Sequence, residues 1–265
     1  MIRMIVSWLM VGVVAVLSAT GGLAQTSTTW WQPTPGNSWQ IQLNEAPDIS
    51  VDADIFDVDL WETPQKSIDT IHQRGGRVIC YFSAGSRENW RPDAKQFPAN
   101  AVGQPLDGWA GGRWLDIRAD AVRAIMEQRL DLAQSKNCDA VDPDNVDGYT
   151  AKTGFGLTAA EQQNYNLFLA NAAHDRGFAV GLKNDVEQIP ALVDSFDFAV
   201  NEECFRYHEC GTLSPFIQSG KAVFQIEYGK PRLARQICPK ARQLGFDTLV
   251  KQLSLGAQRT VCPAA

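Results

Sequence analysis

Short hydrophobic runs in this sequence end repeatedly in carboxylates. One ends Asp57-Val58-Asp59-Leu60-Trp61-Glu62, another runs Asp139-Ala140-Val141-Asp142-Pro143-Asp144-Asn145, and a third ends Asn201-Glu202-Glu203. Two more end in Lys183-Asn184-Asp185 and Gln225-Ile226-Glu227-Tyr228. A lone Asp or Glu at such a place is more often a turn former or a solvated residue. Acids on several successive runs are a stronger signal, because two carboxylates meeting at one locus can cleave a glycosidic bond. One protonates the leaving oxygen while the other attacks the anomeric carbon or activates water, and different surroundings set their pKa values apart. Asp144 and Glu202 are the pair expected to do this.

Other chemistries fit less well. The histidines His72, His174 and His208 are far apart, and the first two lie in helical stretches. No His-Glu-x-x-His or paired Cys-x-x-Cys spacing suggests a metal, and no Gly-x-Ser-x-Gly elbow presents a serine nucleophile. No Gly-x-Gly-x-x-Gly or phosphate-cradling loop follows any run. The aromatics Trp61, Tyr81, Trp90, Trp109, Trp114, Tyr149, Tyr207 and Tyr228 fall at run ends or in adjoining loops. About half of them are expected to touch a ligand and the rest to fill the core.

The elements that must position these groups follow from periodicity. Strand-like runs are expected at Trp39 to Leu43, Ile55 to Leu60, Val78 to Ser83, Asp139 to Asp142, Phe178 to Lys183, Phe198 to Glu202, Ala222 to Glu227 and Thr248 to Leu253. Helical spacing separates several of them. Thr158 and Glu161 stand as a capping box before Tyr165, Phe168, Leu169 and Ala172, and Val122, Ile125, Met126, Leu130 and Ala133 mark another helix. Eight strands alternating with helices predict an α/β chain, a single-domain (β/α)8 TIM barrel, in which reactive groups project from the C-terminal strand ends. The stretch from Gly85 to Gly112, with Arg113 to Ile117 after it, reads as an insertion, and such long loops are often functional.

The start of the chain has its own pattern. Arg3, the apolar run Trp8 to Leu17 and small residues leading to Ala24 read as a signal peptide cut before Gln25, too short for a membrane anchor of roughly 20 apolar residues. The expected product is a secreted or periplasmic monomer that leaves the membrane once cut. Its net charge is mildly negative: the whole chain carries −6, and losing Arg3 makes this −7, which disfavours nucleic acid as a partner. Six cysteines suit an oxidising compartment. Cys204 with Cys210 and Cys238 with Cys262 are the expected bridges, whereas Cys80 and Cys138, each in an apolar run, are expected to be buried free thiols.

Three segments carry a family resemblance: Cys80-Tyr81-Phe82-Ser83-Ala84-Gly85, then Cys138 through Asp144-Asn145-Val146-Asp147-Gly148-Tyr149, then Val200-Asn201-Glu202-Glu203-Cys204. They resemble glycoside hydrolase family 114, the endo-α-1,4-polygalactosaminidases, and the likeness extends from Trp39 to Cys262. It implies a (β/α)8 barrel with no metal or organic cofactor. The implied activity is endo-hydrolysis of galactosamine and N-acetylgalactosamine polymers such as those of biofilm matrices, with retention. It also implies catalytic acids on the fourth and sixth strands. Similarity to the fourth-strand nucleophile of α-galactosidases assigns Asp144 as nucleophile, with Asp142 the alternative, and Glu202 as general acid/base. The family pattern Asn-Glu-Gln-Cys has Glu203 in place of Gln here, which leaves Glu203 as an alternative to Glu202. The ammonium groups of such a polymer would pair with Asp57, Asp59, Asp142, Asp185 and Glu227. Lys183 would hold a hydroxyl, a carbonyl or a neighbouring carboxylate, and Tyr81, Asn145, Tyr149, Asn184 and Tyr228 would complete the binding surface. Two other readings remain: a carbohydrate-binding barrel without catalysis, and an exo-acting α-galactosidase-like hydrolase.

Overall fold

The computed structural model describes residues 30–263; the expected signal segment lies outside them. Eight parallel strands form the body: β1 (Trp39–Gln42), β2 (Ile55–Asp59), β3 (Arg77–Ser83), β7 (Ala140–Asp144), β8 (Ala179–Lys183), β9 (Phe198–Glu202), β10 (Val223–Tyr228) and β11 (Asp247–Lys251). They pair in that order, and a short antiparallel β12 (Thr260–Val261) follows β11, so the fold is a mixed α/β structure around a nine-stranded, mostly parallel sheet. All eight strand-like runs are therefore strands. The expected insertion between β3 and the next helix forms a separate antiparallel sheet, with β4 (Ser86–Glu88), β5 (Val102–Pro105) and β6 (Gly112–Leu115) in the order β4-β6-β5.

The sheet curls because its two faces bury different partners. One face packs under helices α1 (Gln65–Gln73), α2 (Asp120–Ser135) and α3 (Ala159–His174), burying Phe56, Val58, Val78, Cys80, Val141 and Val180 against Ile68, Val122, Met126 and Leu169. The other face curls inward: Trp39, Ile41, Ile55, Ile79, Ala140, Ala179, Phe198, Val200, Phe224, Ile226 and Leu249 form one cluster drawn from all eight parallel strands. The period-two alternation of a strand is what divides its residues between these faces. The curl brings the first strand to the eighth, where the Trp39 indole donates to the Asp247 carbonyl (2.8 Å) and the Lys251 ammonium to Gln40 Oε1 (3.2 Å).

Helix signals read from the sequence hold where helices are long. The Thr158–Glu161 capping box opens α3. Between β8 and β10 the helices shrink to α4 (Ile189–Leu192), α5 (Cys204–Tyr207) and α6 (Ser214–Gln218), and α7 (Ala234–Leu244) precedes β11. No helix among the described residues is long and apolar enough to cross a membrane.

Bridges Cys204–Cys210 and Cys238–Cys262 are both present. The expectation of free thiols at Cys80 and Cys138 is corrected, because these two form a third disulfide with a Cα–Cα distance of 6.0 Å. They lie 58 residues apart, and only the direct pairing of β3 with β7, across the whole insertion and α2, brings them together. Closing a loop of that length removes chain entropy from the unfolded state worth about 4 kcal/mol.

Candidate active site

At the C-terminal ends of the parallel strands the inward-facing positions change from apolar to charged. Two residues above Ala140 on β7 is Asp142 and two further is Asp144; above Val200 on β9 is Glu202; above Ile226 on β10 is Tyr228; and Ile79 on β3 is followed by Tyr81. Lys183 ends β8, between β7 and β9. Its ammonium nitrogen lies 3.4 Å from Asp142 Oδ2, 3.6 Å from Asp144 Oδ1 and 4.0 Å from Glu202 Oε1. Burial opposes the Lys183 charge, but attraction to Asp142, Asp144 and Glu202 prevails and holds its pKa well above the ordinary value. One buried cation thus gathers the two acids predicted to react.

Each reacting acid has its own holder. Tyr81 donates its hydroxyl to Asp144 Oδ2 (2.8 Å) and the Asn145 amide donates to Oδ1 (2.7 Å). Behind it, the Ala84 and Gly85 amides donate to the Asp144 carbonyl (2.7 and 3.0 Å). This approach requires glycine at 85, because a Cβ there would stand 1.7 Å from the Asn145 carbonyl oxygen. Asn145 itself sits in the left-handed region (φ 59°) and donates its side-chain amide to Ser83 Oγ (2.9 Å). On the other side, Tyr228 donates its hydroxyl to Glu202 Oε1, and the Glu202 amide donates to Asn184 Oδ1 (2.9 Å). Burial pushes the Tyr81 and Tyr228 hydroxyls well up, and repulsion by Asp144 and Glu202 respectively adds to it, so both remain donors.

A groove of about 1120 Å³ opens above these groups, lined by Asp144, Asn145, Lys183, Asn184, Glu202, Tyr81, Tyr228 and Asp59 among others. Its walls carry nine carboxylates against two cations, Arg91 and Lys183. Neither cation is free: Arg91 is paired with Asp59 (2.5 Å) and Glu88 (2.7 Å), and Lys183 is shared among three acids. The field in the groove is strongly negative. Five of the eight flagged aromatics line it, namely Tyr81, Trp90, Trp109, Trp114 and Tyr228, and Trp90 and Trp109 are half exposed on the insertion. Among the described residues no group of His, Cys, Asp or Glu has the arrangement of a metal site.

The remaining sequence candidates lie elsewhere. Asp57 and Asp142 are fully buried below the groove floor and do not line it. Glu227 is buried too, accepting from the Phe205 amide (2.8 Å) and Gln225 (2.9 Å). Asp59 reaches the groove, but its oxygens are taken by Arg91 and by the Trp61 and Glu62 amides. Tyr149 and Asp185 line a neighbouring depression that shares only Asp147 and Asn184 with the groove, and the Tyr149 hydroxyl donates to Glu187 (3.3 Å). Glu203 lines the groove but has φ 62° and is tied to Arg206 (2.7 Å). Sequence reasoning assigned no role to Arg91, Glu88, Glu62, Glu45, Asp107 and Asp147, which also line the groove. The Asp147 carboxyl is pushed up to about 6 by burial and by Asp144. The length of the insertion was the one available signal for Glu88, Arg91 and Asp107. Asp147 stood within the segment that carried the resemblance.

Over residues 20–265 the chain matches the sequence model of glycoside-hydrolase family GH114. Among solved structures it is similar to Aspergillus fumigatus Ega3 in complex with galactosamine, at 43% identity and TM-score 0.85, covering 88% of this chain and 97% of that one. The glycoside hydrolase domain of PelA from Pseudomonas aeruginosa shares the fold at 15% identity and TM-score 0.67, covering 83% of this chain and 96% of that one. A more distant fold likeness is a MutB mutant in complex with glucose, at 10% identity and TM-score 0.55, covering 78% of this chain and 60% of that one. No curated protein sequence matches the chain.

Proposed function

Because this chain belongs to glycoside-hydrolase family GH114 and is a glycosidase, we propose that it is an exported endo-hydrolase of α-1,4-linked galactosamine and N-acetylgalactosamine polysaccharide. In this reading Asp144 is the nucleophile and Glu202 the general acid/base of a retaining reaction. The observation that supports it is the Lys183 ammonium, which lies within 4.0 Å of a carboxylate oxygen on both acids and so draws the two carboxylates to one locus.

Asp144 attacks the anomeric carbon while Glu202 gives its proton to the departing glycosidic oxygen, leaving a glycosyl ester on Asp144. Glu202, now a base, takes a proton from water as the water oxygen attacks the same carbon and frees Asp144. Tyr81, the Asn145 amide and Lys183 hold Asp144 in the attacking orientation; Tyr228 does the same for Glu202. Such preorganised donors cost no reorganisation as charge moves.

The substrate class is supported by charge and by likeness. A groove with nine carboxylates and two already-paired cations attracts a polycation, and the similar Ega3 structure holds galactosamine. An open groove flanked by exposed Trp90 and Trp109 suits internal cleavage of a long chain rather than capture of its end. The sheet closing into a single (β/α)8 barrel domain over residues 25–265 is supported by the contacts of Trp39 with Asp247 and Gln40 with Lys251. Three disulfides suit an oxidising compartment outside the cytosol, as does the signal-like start cut before Gln25.

The test is incubation with partly deacetylated poly-α-1,4-galactosamine. New reducing ends on products of several sugars, with the α anomer appearing first by NMR, are expected. Monosaccharide alone, the β anomer first, or binding without cleavage would each overturn a named part of the proposal.

A further inference from the structure

Two acids beneath the groove take no part in the reaction above, yet they face one another. Asp57 on β2 and Asp142 on β7 both point into the interior lined by the parallel strands, with β3 between them, and both are 0% exposed. Asp142 Oδ2 accepts from Lys183 (3.4 Å), but its Oδ1 and both oxygens of Asp57 meet no donor from the described protein residues. Burial aside, the acidic group that bears most strongly on Asp57 across this interior is the Asp142 carboxyl, which raises the Asp57 pKa by repulsion and by hydrogen bonding to the neutral form.

Three carboxyl oxygens buried away from any protein donor would be costly if all were ionised. Two ionised carboxylates cannot bond to each other and repel strongly at this range. One proton placed between them removes the problem. We propose that Asp57 is a neutral carboxylic acid whose hydroxyl donates to Asp142 Oδ1, forming a carboxyl–carboxylate pair that seats Lys183 beneath Asp144 and Glu202. Asp57 is then a positioning residue, and the inference rests on the reading of Asp144 and Glu202 as the reacting acids.

The proton belongs on Asp57 rather than on Asp142 because Lys183 stands directly against Asp142 and favours the anion there. The charged neighbours agree. Burial pushes the Asp57 carboxyl well above the ordinary range, and repulsion by Asp142 and Asp144 adds to this against a smaller pull from Lys183. Burial also raises Asp142, but Lys183 limits the rise to about 6. With Asp57 neutral, Lys183 answers three carboxylates instead of four. A second anion below would draw the ammonium down and away from the reacting acids. A carboxylic acid kept neutral at neutral pH by an apolar site is a known device for supplying a donor to an active site.

Infrared spectroscopy of the full enzyme at neutral pH reads the proton directly. The expected result, in the wild-type minus Asp57→Asn difference spectrum and separate from any band lost in Glu202→Gln, is a carbonyl band of a protonated carboxylic acid that shifts on deuteration and is missing from Asp57→Asn. Absence of any such band in the wild-type protein, or its persistence unchanged in that variant, would overturn the proposal. Should Asp57→Asn fail to fold, Asp142→Asn must move the same band, since it changes the partner of the hydroxyl. In activity, Asp57→Leu removes the donor and is expected to lower kcat about 10- to 100-fold with KM little changed. Its acid limb should move to higher pH, because Asp142 loses a bond to its anionic form. Asp57→Asn keeps an N–H donor and should restore most of the lost kcat, whereas a folded Asp57→Asn as weak as Asp57→Leu would mean that Asp57 works as an anion. Failure of the functional reading itself would show differently, as full turnover in Asp144→Asn with the infrared band intact.

Discussion

Acids stand at both ends of β7 and β9, and the two ends treat them in opposite ways. At the N-terminal end Asp139 accepts from His72 (2.8 Å), Arg77 (2.6 Å) and the Val78 amide (2.8 Å). Two strands on, Asp197 accepts from Trp30 (3.0 Å), Gln32 (2.8 Å), His174 (2.8 Å) and the Val180 amide (2.9 Å). Burial would raise the Asp197 carboxyl, but these donors, His174 foremost, hold it below its ordinary value. At the C-terminal end Asp142, Asp144 and Glu202 share one lysine, and the groove keeps carboxylates in excess. Saturation with donors makes an acid structural. A shortage of them stores electrostatic potential for a substrate to relieve.

The comparison breaks most visibly if the upper acids prove dispensable. Asp144→Asn and Glu202→Gln should each lower kcat by about 10³-fold or more, with melting temperature held or raised; turnover assays and thermal melts on the same samples check both halves. Next in size is Lys183→Met, which strips the shared cation. We expect about 10²-fold lower kcat together with a stability loss of about 3–5 kcal/mol, because three carboxylates lose their counter-charge. Wild-type turnover in this variant would detach Lys183 from the reacting pair.

At the lower end the signs reverse. Asp197→Asn should cost about 1–3 kcal/mol in denaturant unfolding, since several donors lose their acceptor, while kcat stays within about twofold. A large kcat loss at full stability would mean that the two ends are not separate in function.

A gentler contrast comes from pH. Burial raises the folded-state pKa of Asp142 and Asp147 to about 6 and of Asp185 to about 7, from 3.8. Between about pH 4 and 7 the folded protein therefore holds protons that the unfolded chain has released, so stability should grow as pH falls through that window. The depressed Asp197 acts oppositely, and its contribution is lost only on further acidification. Thermal melts from pH 8 to pH 4 should show the rise, and Asp147→Asn should flatten it. The smallest effect expected is in Trp109→Ala. An exposed ring facing an amino sugar is worth about 0.5–1 kcal/mol, so KM for long chains should rise a few-fold while very short oligosaccharides are little affected.

Much of this was legible in the chain. Alternation such as Ile55-Phe56-Asp57-Val58-Asp59 declares a strand with one face toward helices and the other toward an interior that turns polar at its end. The acids at the ends of β7 and β9 followed from that pattern. Local chemistry also marked the α3 cap and the short Cys204–Cys210 bridge. Where the reading went astray, the deciding partner lay far away in sequence. Cys80 read as a lone core thiol until β7 paired with β3. Asp57, read as a ligand for substrate, lies below the floor beside Asp142. Asp59 is occupied by Arg91, an insertion residue that no periodicity flags.

Side-chain alternation and capping are properties of a few adjacent residues, so the sequence by itself determined the eight strands, the face each residue shows and the level at which charge begins. Which acid meets which cation depends on strand order and curl, and these are set by burying two apolar faces at once. Only the tertiary structure could place one lysine between β7 and β9, or decide that the acids of these two strands are saturated at one end and left wanting at the other.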